Sequence, residues 1–192
     1  MKEHFLNPPR SGGLFIFYSL SGRIGILLFL LSFSSCGNHE AIKKKETDAH
    51  QFKGALEQVN KYEVEKETDE INQYILHHNW QMEKTGTGLR YMFLAKGKGA
   101  QVRSGDRVKV NYKISLLDGT ECYSSAKDGA KEFKVEGEDI ESGLHEAVLL
   151  MHLGDKAKFI LPSYRAHGMH GDDAAIPPLS AIVVDLELLE VK

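Results

Sequence analysis

Histidines supply the first candidates for chemistry, since the chain contains nine of them. His167 and His170 stand three positions apart with Asp172 close behind, and His77 is followed directly by His78. Imidazole and carboxylate groups at short spacing are ligands that zinc accepts. No cysteine pair accompanies either group, and nearby glycines place the first group in a loop. We therefore interpret these histidines as solvated, and the sequence predicts no metal site and no cofactor.

Carboxylates and serines could in principle perform acid/base or nucleophilic catalysis. Asp172 is followed by Asp173, and the segment 136–139 carries three acidic residues. Paired carboxylates can transfer protons. Both groups of acidic residues lie in polar loops, however, where charged side chains are ordinarily solvated and have no catalytic role. A hydrolase built on a serine and His167 would need a nucleophile turn such as Gly-x-Ser-x-Gly. The sequence contains no such turn, so we do not interpret the chain as a hydrolase.

Cys36 is a candidate for lipidation. A short apolar run, residues 24–33, follows Arg10 and Arg23 and leads to two serines directly before Cys36. This arrangement is typical of a secretory signal and resembles a bacterial lipobox, in which the cysteine sulfur accepts a diacylglycerol group before cleavage. A single transmembrane anchor is the alternative, but a spanning helix needs about 20 apolar residues. The sequence therefore predicts a lipoprotein signal peptide over 1–35 and lipidation at Cys36.

Composition excludes several other classes of protein. The 192 residues are 42% hydrophobic and 27% charged, which is typical of globular domains. A net charge of −3 has the wrong sign for a protein that binds nucleic acid through phosphates. The two cysteines, Cys36 and Cys122, lie far apart and form no disulfide framework.

The segment after Cys36 changes character twice before the main domain begins. Residues 36–51 are highly charged and predict a solvated tether. Residues 52–84 form a helical lead-in, because apolar residues recur at spacings of three and four up to position 80. Thr68 offers a capping signal for a second helix, and Trp80 is expected to pack this segment onto the domain that follows.

Residues 85–192 read as a small α+β domain. Apolar and polar residues alternate strictly over 108–116, which indicates a half-buried strand. Asp118-Gly119 predicts a hairpin turn, and 143–151 is the one helical stretch, with Gly154 as its stop signal. Further strands are predicted over 89–94, 120–124, 133–135, 157–161 and 182–191. This order predicts a curved antiparallel sheet wrapped around one short helix, preceded by an N-terminal helical segment.

Short motifs follow one another in a fixed order across about residues 86–192. They are Val110-Asn111-Tyr112, Leu117-Asp118-Gly119-Thr120, Tyr123-Ser124-Ser125, Gly143-Leu144-His145-Glu146-Ala147, Gly154-Asp155-Lys156-Ala157-Lys158, Ile160-Leu161-Pro162, His167-Gly168, Ile176-Pro177-Pro178 and Val184-Asp185-Leu186-Glu187-Leu188-Leu189. This ordered series resembles FKBP-type peptidyl-prolyl cis/trans isomerases. The lipobox and the helical lead-in further resemble the lipoprotein branch that includes gliding-motility-associated isomerases.

The resemblance implies an apolar pocket that accepts a proline ring. Tyr112, Phe133 and Ile176 are implied as the catalytic residues, with Ile140 as a further wall. Ile176 is expected to supply a backbone N–H to the substrate carbonyl, held in place by the two prolines that follow it.

Five implied substrate-binding positions depart from the family pattern. Leu144 stands where a tryptophan usually forms the pocket floor, and Cys122 stands where a phenylalanine is usual. Tyr123 replaces an acidic residue and His167 replaces a tyrosine. Val184 replaces an aromatic residue. These changes predict an apolar pocket with a smaller aromatic lining.

The resemblance implies a prolyl isomerase that acts on exported proteins and is lipid-anchored in the cell envelope, facing the periplasm or in the outer membrane. Its partners would be proline-containing polypeptides and the membrane, with no nucleic acid. Helical lead-ins of similar isomerases suggest a homodimer formed through residues 52–80. The alternative is a degenerate FKBP module that acts as a chaperone or binding domain with little catalysis.

Overall fold

Alternating apolar and polar residues along two ten-residue strands organise the domain. The computed structural model describes residues 38–137 and 140–192. Its elements are α1 (Asn38–His77), β1 (Glu83–Lys84), β2 (Arg90–Ala95), β3 (Arg107–Leu116), β4 (Glu121–Ser124), α2 (Ser125–Asp128), β5 (Lys131–Lys134), α3 (Ser142–Leu149), β6 (Lys156–Leu161), a 3-10 turn (Ser163–Arg165) and β7 (Ile182–Val191).

The seven strands form one antiparallel sheet. Their order is β1-β2-β6-β7-β3-β4, with β5 also paired to β3. The predicted hairpin joins β3 to β4, where Gly119 has φ +88 and its N–H donates to the carbonyl of Leu116 at 3.0 Å. Only a residue without a Cβ adopts this backbone conformation readily. The predicted α+β architecture, an antiparallel sheet with a short helix and an N-terminal helical segment, is confirmed. The prediction that 143–151 is the one helical stretch of the domain is wrong, because α2 adds a further turn of helix.

The main core lies on the face of the sheet that α3 covers. Because side chains alternate along a strand, the inward-facing residues of β3, β6 and β7 join the apolar side of α3 in one cluster. Val108, Phe159 and Leu188 belong to it, as do Ala147 and Val148 of α3. This cluster holds the two long strands and the helix together.

A second, smaller apolar cluster lies on the opposite face, beneath α1. Ile71 packs with Ile160, Ala181 and Val183, and Trp80 lies against them half-buried. Trp80 therefore packs the helical lead-in onto the sheet as the sequence predicts. The ammonium of Lys158 also lies 4.9 Å from the centre of the Trp80 ring.

Four predicted boundaries of helices and of the tether need correction. α1 begins at Asn38, inside the segment predicted as a tether, and runs past Thr68 without a break. Lysine and glutamate are good helix formers despite their charge, and a capping signal does not end a helix that is already propagating. β1 occupies the end of the predicted lead-in. α3 ends at Leu149 rather than 151, and Gly154 lies in a separate turn.

The signal peptide predicted over 1–35 and the lipidation site at Cys36 lie outside the described residues. Within residues 38–137 and 140–192, no helix has an apolar run long enough to cross a membrane.

Candidate functional site

Four of the predicted site residues lie in the main core. Phe133 of β5, Leu144 of α3, Ile176 of the loop before β7 and Val184 of β7 are each at most 3% exposed. All four belong to the same apolar cluster. They form the interior behind the site, so a ligand entering from solvent would meet other residues first.

Four further predicted residues form the accessible rim of that cluster. Tyr112, Cys122, Tyr123 and Ile140 are half-buried and pack against the buried core. Burial and the nearby carboxylate of Asp128 raise the pKa of Tyr112. Eight of the nine predicted residues therefore belong to the main apolar cluster of the domain or pack against it, and they come from β3, β4, β5, α3, β7 and the loops before α3 and β7.

His167, the ninth residue, is held by an acidic partner rather than by the apolar cluster. Its Nε2 lies 3.1 Å from Oε1 of Glu141, the residue directly before α3. The other carboxylate oxygen of Glu141 is buried without a hydrogen-bond partner. His167 therefore ties the loop before β7 to the start of α3.

Asp172 organises the loop that closes the site. Its Oδ1 accepts hydrogen bonds from the backbone N–H groups of Ala174 at 3.0 Å and Ile176 at 2.8 Å, and its Oδ2 accepts one from the Tyr123 hydroxyl. Burial alone would raise the pKa of the Asp172 carboxyl, but these hydrogen bonds outweigh burial and lower it. The hydrogen bond to Asp172 is also the main cause of the raised pKa of Tyr123.

The loop also depends on one glycine. Gly171 has φ +71, and a Cβ at this position would clash with the carbonyl oxygen of Ile176. The N–H of Asp172 donates to that same carbonyl at 3.1 Å. Cys122 adds a weak contact from β4, with Sγ 3.6 Å from the carbonyl of Ala175.

The backbone N–H of Ile176, which the resemblance assigns to a substrate carbonyl, donates to Oδ1 of Asp172 in this structure. Donation to a substrate stays a prediction, and it would require that hydrogen bond to be exchanged. The side chain of Ile176 is buried in the main cluster.

Sequence reasoning considered Asp172 only as a metal ligand or a paired carboxylate and missed its structural role. A short polar side chain that precedes backbone N–H groups two and four positions later is a recognisable signal for a loop-forming hydrogen bond. Glu141 was missed altogether, because nothing in the sequence distinguishes it from the solvated acidic residues before it. Among the described residues, no three His, Cys, Asp or Glu side chains converge as a ligand set for a metal ion.

Comparisons with known proteins identify a family for the region that carries this site. Residues 98–189 match the family model described as FKBP-type peptidyl-prolyl cis-trans isomerase. Over 111 residues, the chain is 39% identical to the FKBP-type 22 kDa peptidyl-prolyl cis-trans isomerase of Escherichia coli K12, covering 57% of this chain and 53% of that protein. It is 37% identical over 112 residues to FkpA of the same organism, covering 58% and 40%.

A solved structure extends the likeness beyond the matched domain. The crystal structure of FkpA from Escherichia coli superposes with a TM-score of 0.60 at 29% identity, covering 83% of this chain and 75% of that one. The chain spans about half the length of the curated relatives it matches.

Proposed function

Through residues 98–189 the chain belongs to the FKBP-type peptidyl-prolyl cis-trans isomerase family, and we propose that it accelerates isomerisation of X-Pro bonds in polypeptides. The observation that supports this proposal is that eight apolar or aromatic family positions lie in the main apolar cluster of the domain or pack against it. No cofactor is needed for the reaction, since only rotation about a C–N bond has to occur.

The proposed mechanism is stabilisation of a twisted amide in a dry site. A prolyl amide isomerises slowly because its C–N bond has partial double-bond character, with a barrier of about 18–20 kcal/mol. Twisting removes the resonance and makes the amide less polar. The planar amide of the ground state is the more polar form, and apolar surroundings solvate it poorly. Such surroundings therefore favour the twisted amide of the transition state over the planar amide.

The rim residues Tyr112, Tyr123 and Ile140 are the proposed walls for the proline ring, with Leu144 and Ile176 behind them. A leucine at 144 and a valine at 184 present less surface to the ring than aromatic residues would. Affinity for apolar surface scales at about 25 cal/mol per Å² buried, so we expect slower catalysis than in members with a full aromatic lining.

An isomerisation assay with a four-residue Ala-Leu-Pro-Phe peptide tests this proposal. The wild-type chain should accelerate cis-to-trans conversion, and Ile140→Asp should remove most of the acceleration, because a charge at the half-buried rim solvates the planar amide. Leu76→Asp, at an exposed position on α1, is the matched control for an added charge. A folded wild-type chain that is no faster than the uncatalysed reaction would favour the alternative, a binding module without catalysis.

The proposed substrates are exported proteins, and the proposed location is the cell envelope. This part rests on the sequence of residues 1–36, where the apolar run and the serines precede Cys36. Mass spectrometry of the membrane fraction should detect a lipidated N-terminal Cys36. Cys36→Ala should release the protein from that fraction or prevent its processing, whereas an intact and unmodified Cys36 would contradict the proposed anchor.

A homodimer through residues 52–80 stays a prediction. The exposed apolar side chains of Phe52, Leu56 and Tyr62 on α1 are compatible with helix pairing. Sedimentation equilibrium of the full chain should report twice the monomer mass if this segment pairs. Phe52→Ser combined with Leu56→Ser should then restore the monomer mass.

A further inference from the structure

A groove on the outside of the site loop has no role in the function described above. It has a volume of about 550 Å³ and lies between α1 and the segment 163–179. Ligand sites in proteins commonly occupy 300 to 1,000 Å³. Five apolar or aromatic side chains line it, namely Val59, Val64, Tyr164, Met169 and Leu179.

The apolar lining of this groove is unusually exposed. Ten large hydrophobic side chains among the described residues are exposed to solvent, and five of them line the groove. Met169 is 70% exposed and Leu179 is 51% exposed. Single exposed apolar residues are ordinary on a protein surface, but a contiguous group bordered by polar residues marks an interaction site.

The two walls of the groove are fixed before any ligand arrives. Glu67 of α1 is only 8% exposed, and its carboxylate accepts hydrogen bonds from the backbone N–H of Ser163 at 2.7 Å and from its hydroxyl at 3.1 Å. These bonds join the helix to the loop at the base of the groove. A preformed site loses less entropy when it binds a ligand.

Charge around the groove selects the kind of occupant. Glu63, Glu67 and Glu70 line it together with a single basic residue, Lys66, whose Nζ lies 3.8 Å from Glu70. Glu67 is committed to Ser163 and Glu70 is paired with Lys66, so Glu63 supplies the net acidic charge of the lining, which favours a cationic partner. A second copy seated groove against groove would place the same acidic surface against itself, so a homodimer through residues 52–80 would have to pair outside the groove.

We propose that this groove binds an apolar segment carrying lysine or arginine, within the same unfolded polypeptide whose proline enters the isomerase site. The two sites share one loop: Gly168 and Met169 line the groove, and Ile176 of the same loop belongs to the apolar cluster of the isomerase site. A polypeptide that crosses this loop would contact both sites. The inference rests on the proposed function for the identity of the polypeptide, while the groove itself stands on its own geometry.

Fluorescence anisotropy with labelled peptides and the full chain tests the proposal. The probe is a sixteen-residue peptide with one proline and a flanking Leu-Lys-rich half, and its matched partner has every lysine replaced by glutamate. The basic peptide should bind more tightly than the acidic one. Met169→Ser and Val59→Ser, one on each wall, should each weaken binding on the order of tenfold. Glu63→Lys should reduce or reverse the preference between the two peptides.

Leu76→Ser is the control, since Leu76 is an exposed residue of the same helix that does not line the groove. It should bind the basic peptide as the wild type does. Equal affinities for Met169→Ser and Leu76→Ser would overturn the proposal. So would unchanged peptide binding combined with a shift in sedimentation mass for the Met169 and Val59 variants, because the groove would then join two copies. Groove-dependent binding by a chain that fails to isomerise the four-residue peptide would uphold the groove and refute only the proposed catalysis.

Discussion

The two faces of the sheet differ in how much they bury. Nineteen buried residues form the cluster on the inner face, under α3, whereas four form the cluster on the outer face, under α1. Hydrophobic stabilisation grows with buried apolar area. The inner face therefore carries most of the folding free energy, and the outer face chiefly holds the helix in place.

The difference also separates the proposed tasks of the two faces. The residues of the candidate isomerase site belong to the inner cluster or pack against it, so their positions are determined by the core. The groove belongs to the side where α1 lies, and its walls are joined by few interactions, with Glu67 and Ser163 among them. Variants at neighbouring positions of one strand, which face opposite sides, can test this division.

The largest effect is expected for Phe159→Ala on the inner face. Phe159 is fully buried in the main cluster, and truncating a buried phenylalanine costs about 3–5 kcal/mol. We expect that loss of unfolding free energy in urea titrations of the full chain and also of a fragment containing residues 86–192. A much smaller loss in the fragment would show that the inner core depends on α1.

The next largest effect is expected for Ile160→Ala, on the outer face of the same strand. Ile160 is fully buried in the outer cluster with Ile71, so the full chain should lose about 2–4 kcal/mol. In the fragment 86–192, Ile71 and Trp80 are gone and the side chain already faces solvent. The cost there should fall below about 1 kcal/mol, and an unchanged cost would contradict the division between the two faces.

A smaller effect is expected for Glu67, which joins α1 to the loop at Ser163. Glu67→Ala leaves the buried N–H of Ser163 without its acceptor and should cost about 1–3 kcal/mol. Glu67→Gln keeps an acceptor and should cost less at neutral pH. Burial raises the pKa of Glu67 although the Ser163 hydrogen bonds lower it, so folding disfavours the ionised carboxylate relative to the unfolded chain.

The sign of that shift gives a measurable pH dependence. A carboxyl whose pKa is raised by folding adds stability below its unfolded pKa, and this contribution is lost as the pH rises through its folded pKa. The wild type should therefore gain stability relative to Glu67→Gln as the pH falls through this window. Parallel stability curves for the two proteins across this window would show that the Glu67 carboxyl does not titrate in it.

The sequence predicts those parts of the structure that depend on residues close together in the chain. Alternation over 108–116 and Asp118-Gly119 identify β3 and its hairpin because strand faces and tight turns depend on neighbouring residues. The length of α1 was missed, because charged residues without proline suit a helix and a solvated tether equally well. The Glu141–His167 and Tyr123–Asp172 pairs join residues 26 and 49 positions apart. A pattern of neighbouring residues cannot predict contacts between residues so far apart in the chain.

The smallest stability effect is expected for Tyr123→Phe, at the mouth of the inner face. The hydroxyl of Tyr123 is one of three groups that donate to Asp172. The site there is partly solvated, so its loss should cost only a few tenths to about 1 kcal/mol. Because Asp172 holds the loop that carries Ile176, we expect a clearer effect on peptide isomerisation, with a raised KM.

A pH series separates the role of this hydrogen bond from a general loss of stability. Asp172 has a lowered pKa in the folded state, so its contribution is present above the unfolded pKa and is lost as the pH falls through the folded one. Removing the Tyr123 hydroxyl weakens the stabilisation of the Asp172 carboxylate. The loss of unfolding free energy on acidification, which forms the acid limb of the stability curve, should therefore begin at higher pH. Tyr62→Phe, an exposed tyrosine on α1, is the matched control and should leave that limb in place. An acid limb that does not move in Tyr123→Phe would show that the backbone N–H groups of Ala174 and Ile176 hold Asp172 without help from the inner face.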